Sequence, residues 1–213
     1  MSFSISVCIP CVEIHIPLLD RCIKSISEQS KPPLEVVICI SNIINMDDAK
    51  LKTENILKKY KLNFIVDYTS EKCYAGINRN KAVNLASGDI ISFIDADDLM
   101  LKSRLYTITK VFELKSDCIG VLHYFIENKP LESKENAFDK NLIDNYYFTL
   151  LLHFGHSSFK KCIFNEFKFS NNSRCQDLEF IELLIPSYRY NLYIYKDPLS
   201  NYISNDSTLY GKR

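Results

Sequence analysis

The sequence predicts a single α/β domain with a mostly parallel central sheet flanked by helices, and three observations carry that expectation. Short apolar runs alternate with amphipathic segments through the first half of the chain. Several of those runs are hydrophobic along their whole length, as in strands buried on both faces. One of them, Ile90–Ile94, ends abruptly in the acids Asp95, Asp97 and Asp98, and open α/β sheets bind their ligands at the carboxyl ends of strands.

Taken in order, Ile5–Val12 is a strand rich in β-branched residues, closed by Pro10 and the loop beyond it. Ile16–Gln29 carries Leu18, Leu19, Cys22, Ile23 and Ile26 at helical spacing. Pro32-Pro33 announces a second buried strand, Leu34–Ser41. Asp47–Tyr60 reads as a helix whose early acids and late lysines suit the helix dipole. Leu62–Tyr68 is a third strand, and the helix Gly76–Ala86 is stopped by Gly88 before Ile90–Ile94. A helix over Arg104–Leu114 and a strand over Cys118–Ile126 continue the alternation. Glu127–Asn145 is polar and reads as an irregular loop, and Tyr146–His153 is rich in aromatics. Leu178–Ile185 has a helical pattern and Asn191–Tyr195 a strand pattern. One domain over residues 1–213 follows, with a nucleotide-binding half to about residue 100 and an acceptor-binding half beyond it.

Composition narrows the function classes. Apolar residues make up 46% of the 213, enough for a substantial core. With 26 basic and 26 acidic residues the formal charge is zero, which argues against a general nucleic-acid partner. Eight cysteines are scattered, and the lone Cys8-x-x-Cys11 pair has no second pair at metal-binding spacing, so buried thiols in a reducing compartment are expected. The start Met1-Ser2-Phe3-Ser4-Ile5 lacks the charge of a signal peptide, and no apolar stretch reaches the length of a membrane span. The expectation is a cytoplasmic protein.

The acidic turn is the chemical centre of the sequence. Crowded carboxylates repel one another unless a cation neutralises them, and Mg²⁺-like ions take oxygen ligands while sharing a site with a diphosphate. Capping the next helix needs one acid and leaves the others unexplained. A metal–diphosphate site at the edge of a nucleotide-binding sheet is therefore expected.

Four segments in order also carry a family resemblance. Val7-Cys8-Ile9-Pro10, then Leu19-x-x-Cys22-Ile23-x-Ser25-Ile26-x-x-Gln29, then Pro33-x-Glu35-Val36-Val37-Ile38 resemble the opening of a family 2 glycosyltransferase. Gly76-Ile77-Asn78-Arg79-Asn80-Lys81-Ala82, followed by Ala86-Ser87-Gly88-Asp89 and Asp95-Ala96-Asp97-Asp98, resembles that family's central signature. The resemblance implies a GT-A fold with a Rossmann-like sheet and transfer of a sugar from a nucleotide diphosphate sugar, UDP being the commonest nucleotide. It further implies inversion at the anomeric carbon, with Mn²⁺ or Mg²⁺ as cofactor. The acceptor is a glycan, a protein or a small molecule.

On this resemblance Asp97 is the metal ligand, with Asp95 beside it contacting ribose or metal. Arg79 faces the phosphates, and the donor pocket is drawn from Pro10, Cys11, Glu13, Ser41, Arg79, Asp95, Ala96 and Asp97. Arg174-Cys175-Gln176-Asp177 resembles the family's Glu-Asp motif, which makes Asp177 the catalytic base. Gly155-His156-Ser157-Ser158-Phe159 resembles the segment lining the acceptor side and points to His156 and Ser157. The chain departs from the family in three places. Ser41-Asn42 stands where an acid is common after strand two, Gln176 replaces the Glu, and Tyr202 and Ser204 replace the Arg and His of a Tyr-Arg-x-His segment. These departures motivate a second reading, a catalytically impaired sugar-nucleotide or glycan-binding module of the same fold. A nucleotidyltransferase ranks lower, because Pro10-Cys11-Val12-Glu13 lacks the Gly-rich basic loop such enzymes place after strand one.

Overall fold

The structure, a computed structural model, describes residues 3–128 and 138–204. The chain runs β1 (Ile5–Val12), α1 (Leu19–Ser27), β2 (Glu35–Ser41), α2 (Met46–Leu57), β3 (Phe64–Tyr68), α3 (Ala75–Leu85), β4 (Ile90–Phe93) and β5 (Leu99–Met100). It continues through α4 (Arg104–Leu114), β6 (Gly120–Glu127), β7 (Ile143–Asn145), β8 (Ser158–Lys160), α5 (Gln176–Tyr188) and β9 (Leu192–Tyr202). These strands form one sheet in the order β3-β2-β1-β4-β8-β6-β9-β5, with β7 also on β9.

The first four of that order are mutually parallel. β8 then inserts antiparallel to both β4 and β6. β6 and β9 run parallel, while β5 and β7 pair antiparallel with β9. The alternating side chains of β1 explain why its whole length is apolar. Val7 and Ile9 join a core with Leu19, Ile23 and Ile26 of α1 and Ile108 of α4. Cys8 points the other way, into a core with Val83 of α3, Phe93, Phe159 and Phe180 of α5. Cys8 is fully buried there, and burial pushes its thiol well up, so it serves as a small hydrophobe.

Among the elements that differ from the sequence expectation, three have a local cause. The segment read as the start of a helix at Ile16 is a 3₁₀ turn, Glu13–Leu18, with Pro17 inside it. Proline donates no hydrogen bond and restricts the residue before it, so the α-helix begins only at Leu19. The strand expected over Asn191–Tyr195 continues to Tyr202. Its Pro198 lies opposite Tyr124, where the register with β6 shifts, a place where a strand accommodates proline. Within Glu127–Asn145, the described part includes the short strand β7 and a 3₁₀ turn at Lys140–Leu142. Residues 129–137 of that expected loop lie outside the described residues.

Candidate functional site

β4 stops at Phe93, and the chain turns through Asp95–Asp98, closed by the Asp98 N–H donating to the Asp95 carbonyl at 3.1 Å. The acids then take different environments. Asp98 is fully buried, its Oδ1 accepting the Ile203 N–H at 2.7 Å and its Oδ2 lying 2.8 Å from His156 Nε2. The far nitrogen of His156 meets Ser200 Oγ at 2.9 Å. Burial raises the Asp98 carboxyl and lowers the His156 imidazole, both shifts disfavouring a separated charge pair at this contact.

Asp95 is the partly exposed partner of Arg79, whose Nη2 donates to its Oδ1 at 2.7 Å. Arg79 is only 2% exposed and lies over the Phe169 ring at 5.6 Å. Its Nε and Nη1 are buried without a partner among the described residues, which leaves unused donors beside the acidic turn. Gly155 makes this pairing possible: a Cβ there would fall 2.8 Å from Arg79 Nη2 and 3.2 Å from Asp95 Oδ2. Asp97 is half-buried, and burial together with Asp95 and Asp98 raises its carboxyl to about 6. Arg21 donates to the Asp97 carbonyl at 2.5 Å, fixing the turn from α1.

Asp95, Asp98, His153 and His156 each offer a ligand atom within 4.8 Å of the others. Asp98 and His156 already engage one another, which leaves Asp95 Oδ2 and His153 as the less committed members. Asp97 stands outside this tight cluster but adds a half-exposed carboxylate on the same turn. Carboxylates gathered with imidazoles in this way offer mixed oxygen and nitrogen donors to a divalent cation.

The expected nucleotide pocket is organised by Asn78 of α3. Its Nδ2 donates to the Cys11 carbonyl at 2.9 Å and to Ser41 Oγ at 2.8 Å, joining the ends of β1 and β2. Ser41 Oγ in turn donates to the Cys73 carbonyl at 3.2 Å. Asn42 adopts the left-handed region at φ 59° and accepts the Cys73 N–H. Pro10 lies within β1 opposite Cys39, and the buried Cys11 thiol is pushed up by desolvation. Glu13 accepts the Ile44 and Asn45 N–H groups at 2.9 and 3.3 Å and ties the two loops together. Ala96 is buried within the acidic turn.

Asp177 sits half-buried in the first turn of α5, two residues after Cys175, which adopts the left-handed region at φ 58°. Its Oδ1 accepts the Leu178 N–H at 3.0 Å. The helix packs against α3 and against the 3₁₀ turn Phe154–His156, which carries it towards the acidic cluster. His156 and Ser157 are buried in the wall of the site, Ser157 Oγ donating to the Phe154 carbonyl at 2.8 Å.

Two contributors escaped the sequence reading. His153 had no visible third ligand, because Asp95 and Asp98 reach it only through the sheet. Arg104 is fully buried, and its Nη2 donates to the carbonyls of Phe93 and His156, both at 2.6 Å. It clamps the strand before the acidic turn to the turn holding His156. A single arginine opening an apolar helix gave no signal of that role.

Comparison with known proteins bears on the family and on the fold. The profile of Glycosyl transferase family 2 matches residues 6–169. An uncharacterized glycosyltransferase of Methanocaldococcus jannaschii is 31% identical over 186 residues, which is 82% of this chain and 62% of that protein. The GalNAc(5)-diNAcBac-PP-undecaprenol beta-1,3-glucosyltransferase of Campylobacter jejuni is 32% identical over 109 residues, 49% of this chain and 33% of the other. The chain thus spans less than two thirds of either curated relative. Residues 1–349 of S. aureus TarS in complex with UDP-GlcNAc superpose with a TM-score of 0.70 at 15% identity, covering 96% of this chain and 60% of that one. The same TarS segment in complex with UDP gives a TM-score of 0.68. At that identity the likeness speaks for the fold, the α/β domain that the sequence predicts. With the family profile extending from β1 to Phe169, the chain belongs to glycosyl transferase family 2.

Proposed function

We propose that this chain transfers a sugar from a nucleotide diphosphate sugar, with UDP as the nucleotide, to an acceptor hydroxyl with inversion at the anomeric carbon. The observation that carries the reading is the acidic turn at the end of β4, where Asp95 and Asp97 stay accessible while Asp98 is locked behind them. TarS forms complexes with UDP and with UDP-GlcNAc, and the Campylobacter jejuni relative is named as a glucosyltransferase, which supports a nucleotide-sugar donor.

Asp97 and Asp95 would hold Mn²⁺ or Mg²⁺, with His153 beside them. Such an ion supplies charge neutralisation for the departing diphosphate. The remaining work falls to the chain itself. Arg79 orients Asp95 and offers donors to phosphate oxygens. Asp98, His156 and Ser200 hold the turn rigid from behind. Asp177 accepts the proton of the acceptor hydroxyl as its oxygen bonds to the anomeric carbon and the bond to the diphosphate oxygen breaks. A single displacement from the opposite face inverts that carbon. Among the described residues no helix is long and apolar enough to cross a membrane.

Isothermal titration with UDP in the presence and absence of Mn²⁺, alongside a transfer assay with UDP-sugars, tests this reading. Metal-dependent UDP binding with turnover is expected. Tight binding without hydrolysis or transfer would instead make the chain a sugar-nucleotide-binding module, and no binding at all would overturn the donor assignment.

A further inference from the structure

Gln176 opens α5 immediately before Asp177 and is only 7% exposed. Its amide oxygen Oε1 is buried without a partner among the described residues. An amide oxygen left unpaired in the interior is destabilising, and next to a binding site it points to a donor brought by the ligand. Packing fixes the residue there. A Cβ on Gly76 of α3 would lie 3.1 Å from Gln176 Cγ and 3.2 Å from Phe169 Cβ, so the bare glycine lets α5 settle onto α3 at this point. Arg79 follows one turn along α3, its guanidinium over the Phe169 ring at 5.6 Å and its Nη2 on Asp95. Gln176 thus stands near Phe169, the ring beneath the Arg79–Asp95 pair.

Few groups of the donor molecule can serve this oxygen. With the diphosphate at Asp95 and Asp97 and the acceptor hydroxyl at Asp177, the transferred sugar lies between them, beside the first turn of α5. An ionised diphosphate only accepts hydrogen bonds. The nucleotide base belongs at the ends of β1 and β2, where Asn78 joins Cys11 to Ser41. On a hexose, the donors that remain are the ring hydroxyls. We propose that Gln176 Oε1 accepts a hydroxyl of the donor sugar, which makes Gln176 a specificity-determining residue for a hexose with that hydroxyl free. A glutamate would bring a second charge next to Asp177, whereas the amide supplies the oxygen without it. The inference rests on the transferase reading of the same site.

Isothermal titration of the whole chain with Mn²⁺ compares UDP, UDP-glucose, UDP-galactose, their monodeoxy analogues and UDP-N-acetylglucosamine. The wild type should bind one hexose nucleotide about tenfold more tightly than one of its deoxy analogues. Gln176→Leu keeps the bulk and drops the oxygen. It should weaken the parent nucleotide about tenfold and no longer distinguish it from that analogue, while UDP stays within about twofold. Gln176→Glu keeps an acceptor oxygen and should still distinguish the two. The wild-type comparison needs no variant to fold, and deoxy analogues that all match their parents would overturn the proposal. So would discrimination that persists in Gln176→Leu, or equal weakening of UDP and the UDP-sugars by that change. Gln176-dependent binding confined to UDP-N-acetylglucosamine would give the oxygen to an acetamido N–H and overturn the hydroxyl assignment. A wild type that does not bind UDP would sink the donor reading itself, and the proposal with it.

Discussion

The two halves of the sheet build their share of the site by different means. In the parallel half, β1 and β2 are buried nearly end to end, and the functional groups follow directly from strand ends: Cys11, Ser41 and Asp95. In the other half, the three-residue strand β8 is wedged antiparallel between β4 and β6, and the site groups come from short turns and the tip of β9. Topology alone places the first set. The second depends on individual contacts, chiefly Arg104 to two carbonyls, His156 to Asp98, and the bare backbone of Gly155. Substitutions at the strand ends of the first half, and at Asp177 on α5, should therefore remove chemistry, whereas those at the contacts that hold the second half together should loosen geometry or stability.

The largest effect is expected at Asp177. Asp177→Asn should lower transfer roughly a thousandfold while leaving UDP binding intact, measured as turnover and titration on one preparation. Unchanged turnover would remove the base. Asp97→Asn should cost roughly a hundredfold in transfer and, unlike the Asp177 variant, weaken metal-dependent UDP binding as well. His156→Ala sharpens the contrast from the other side. It leaves buried Asp98 without its partner and should lower unfolding stability by about 3 kcal/mol in denaturant melts. A loss below about 1 kcal/mol would show that the pair does not hold the turn. Gly155→Ala should disturb the Arg79–Asp95 contact and cut transfer about tenfold with a smaller change in melting temperature.

The smallest effect is a pH dependence. The Asp97 carboxyl stands at about 6 in the folded protein against an ordinary value of 3.8, so the folded state binds this proton more tightly. That contribution is complete below the unfolded value and is lost as pH rises through the folded one. Without metal, the melting temperature should fall between those two values, and Asp97→Asn should flatten the fall. Mn²⁺ should raise the melting temperature more at neutral pH than at acid pH, since it binds the ionised carboxylate.

How far the sequence revealed this arrangement follows the same division. β1 to β4 and their helices were readable because buried parallel strands and amphipathic helices leave strong periodic signals. The acidic turn was readable because three acids after a buried strand need a reason. β8 was not, since three residues carry no period, and its place between β4 and β6 is set by distant partners. The length of β9 was hidden by Pro198, which reads as a terminator unless a register shift opposite Tyr124 is known. His153 became part of a cluster only through folding, as Asp95 and Asp98 come from a distant strand end. Asn78 lay inside a recognised segment, yet its role in joining Cys11 to Ser41 is a matter of three-dimensional position.

The proposed donor site at the end of β4 works through a divalent cation on Asp97 and Asp95. The most direct measurement is a UDP titration of the wild-type chain and of Asp97→Asn, each with Mn²⁺ and with a chelator. Binding to the wild type should weaken at least about tenfold on chelation, and the weak binding of the variant should no longer respond to Mn²⁺. UDP binding that is equal in all four samples would contradict this proposal.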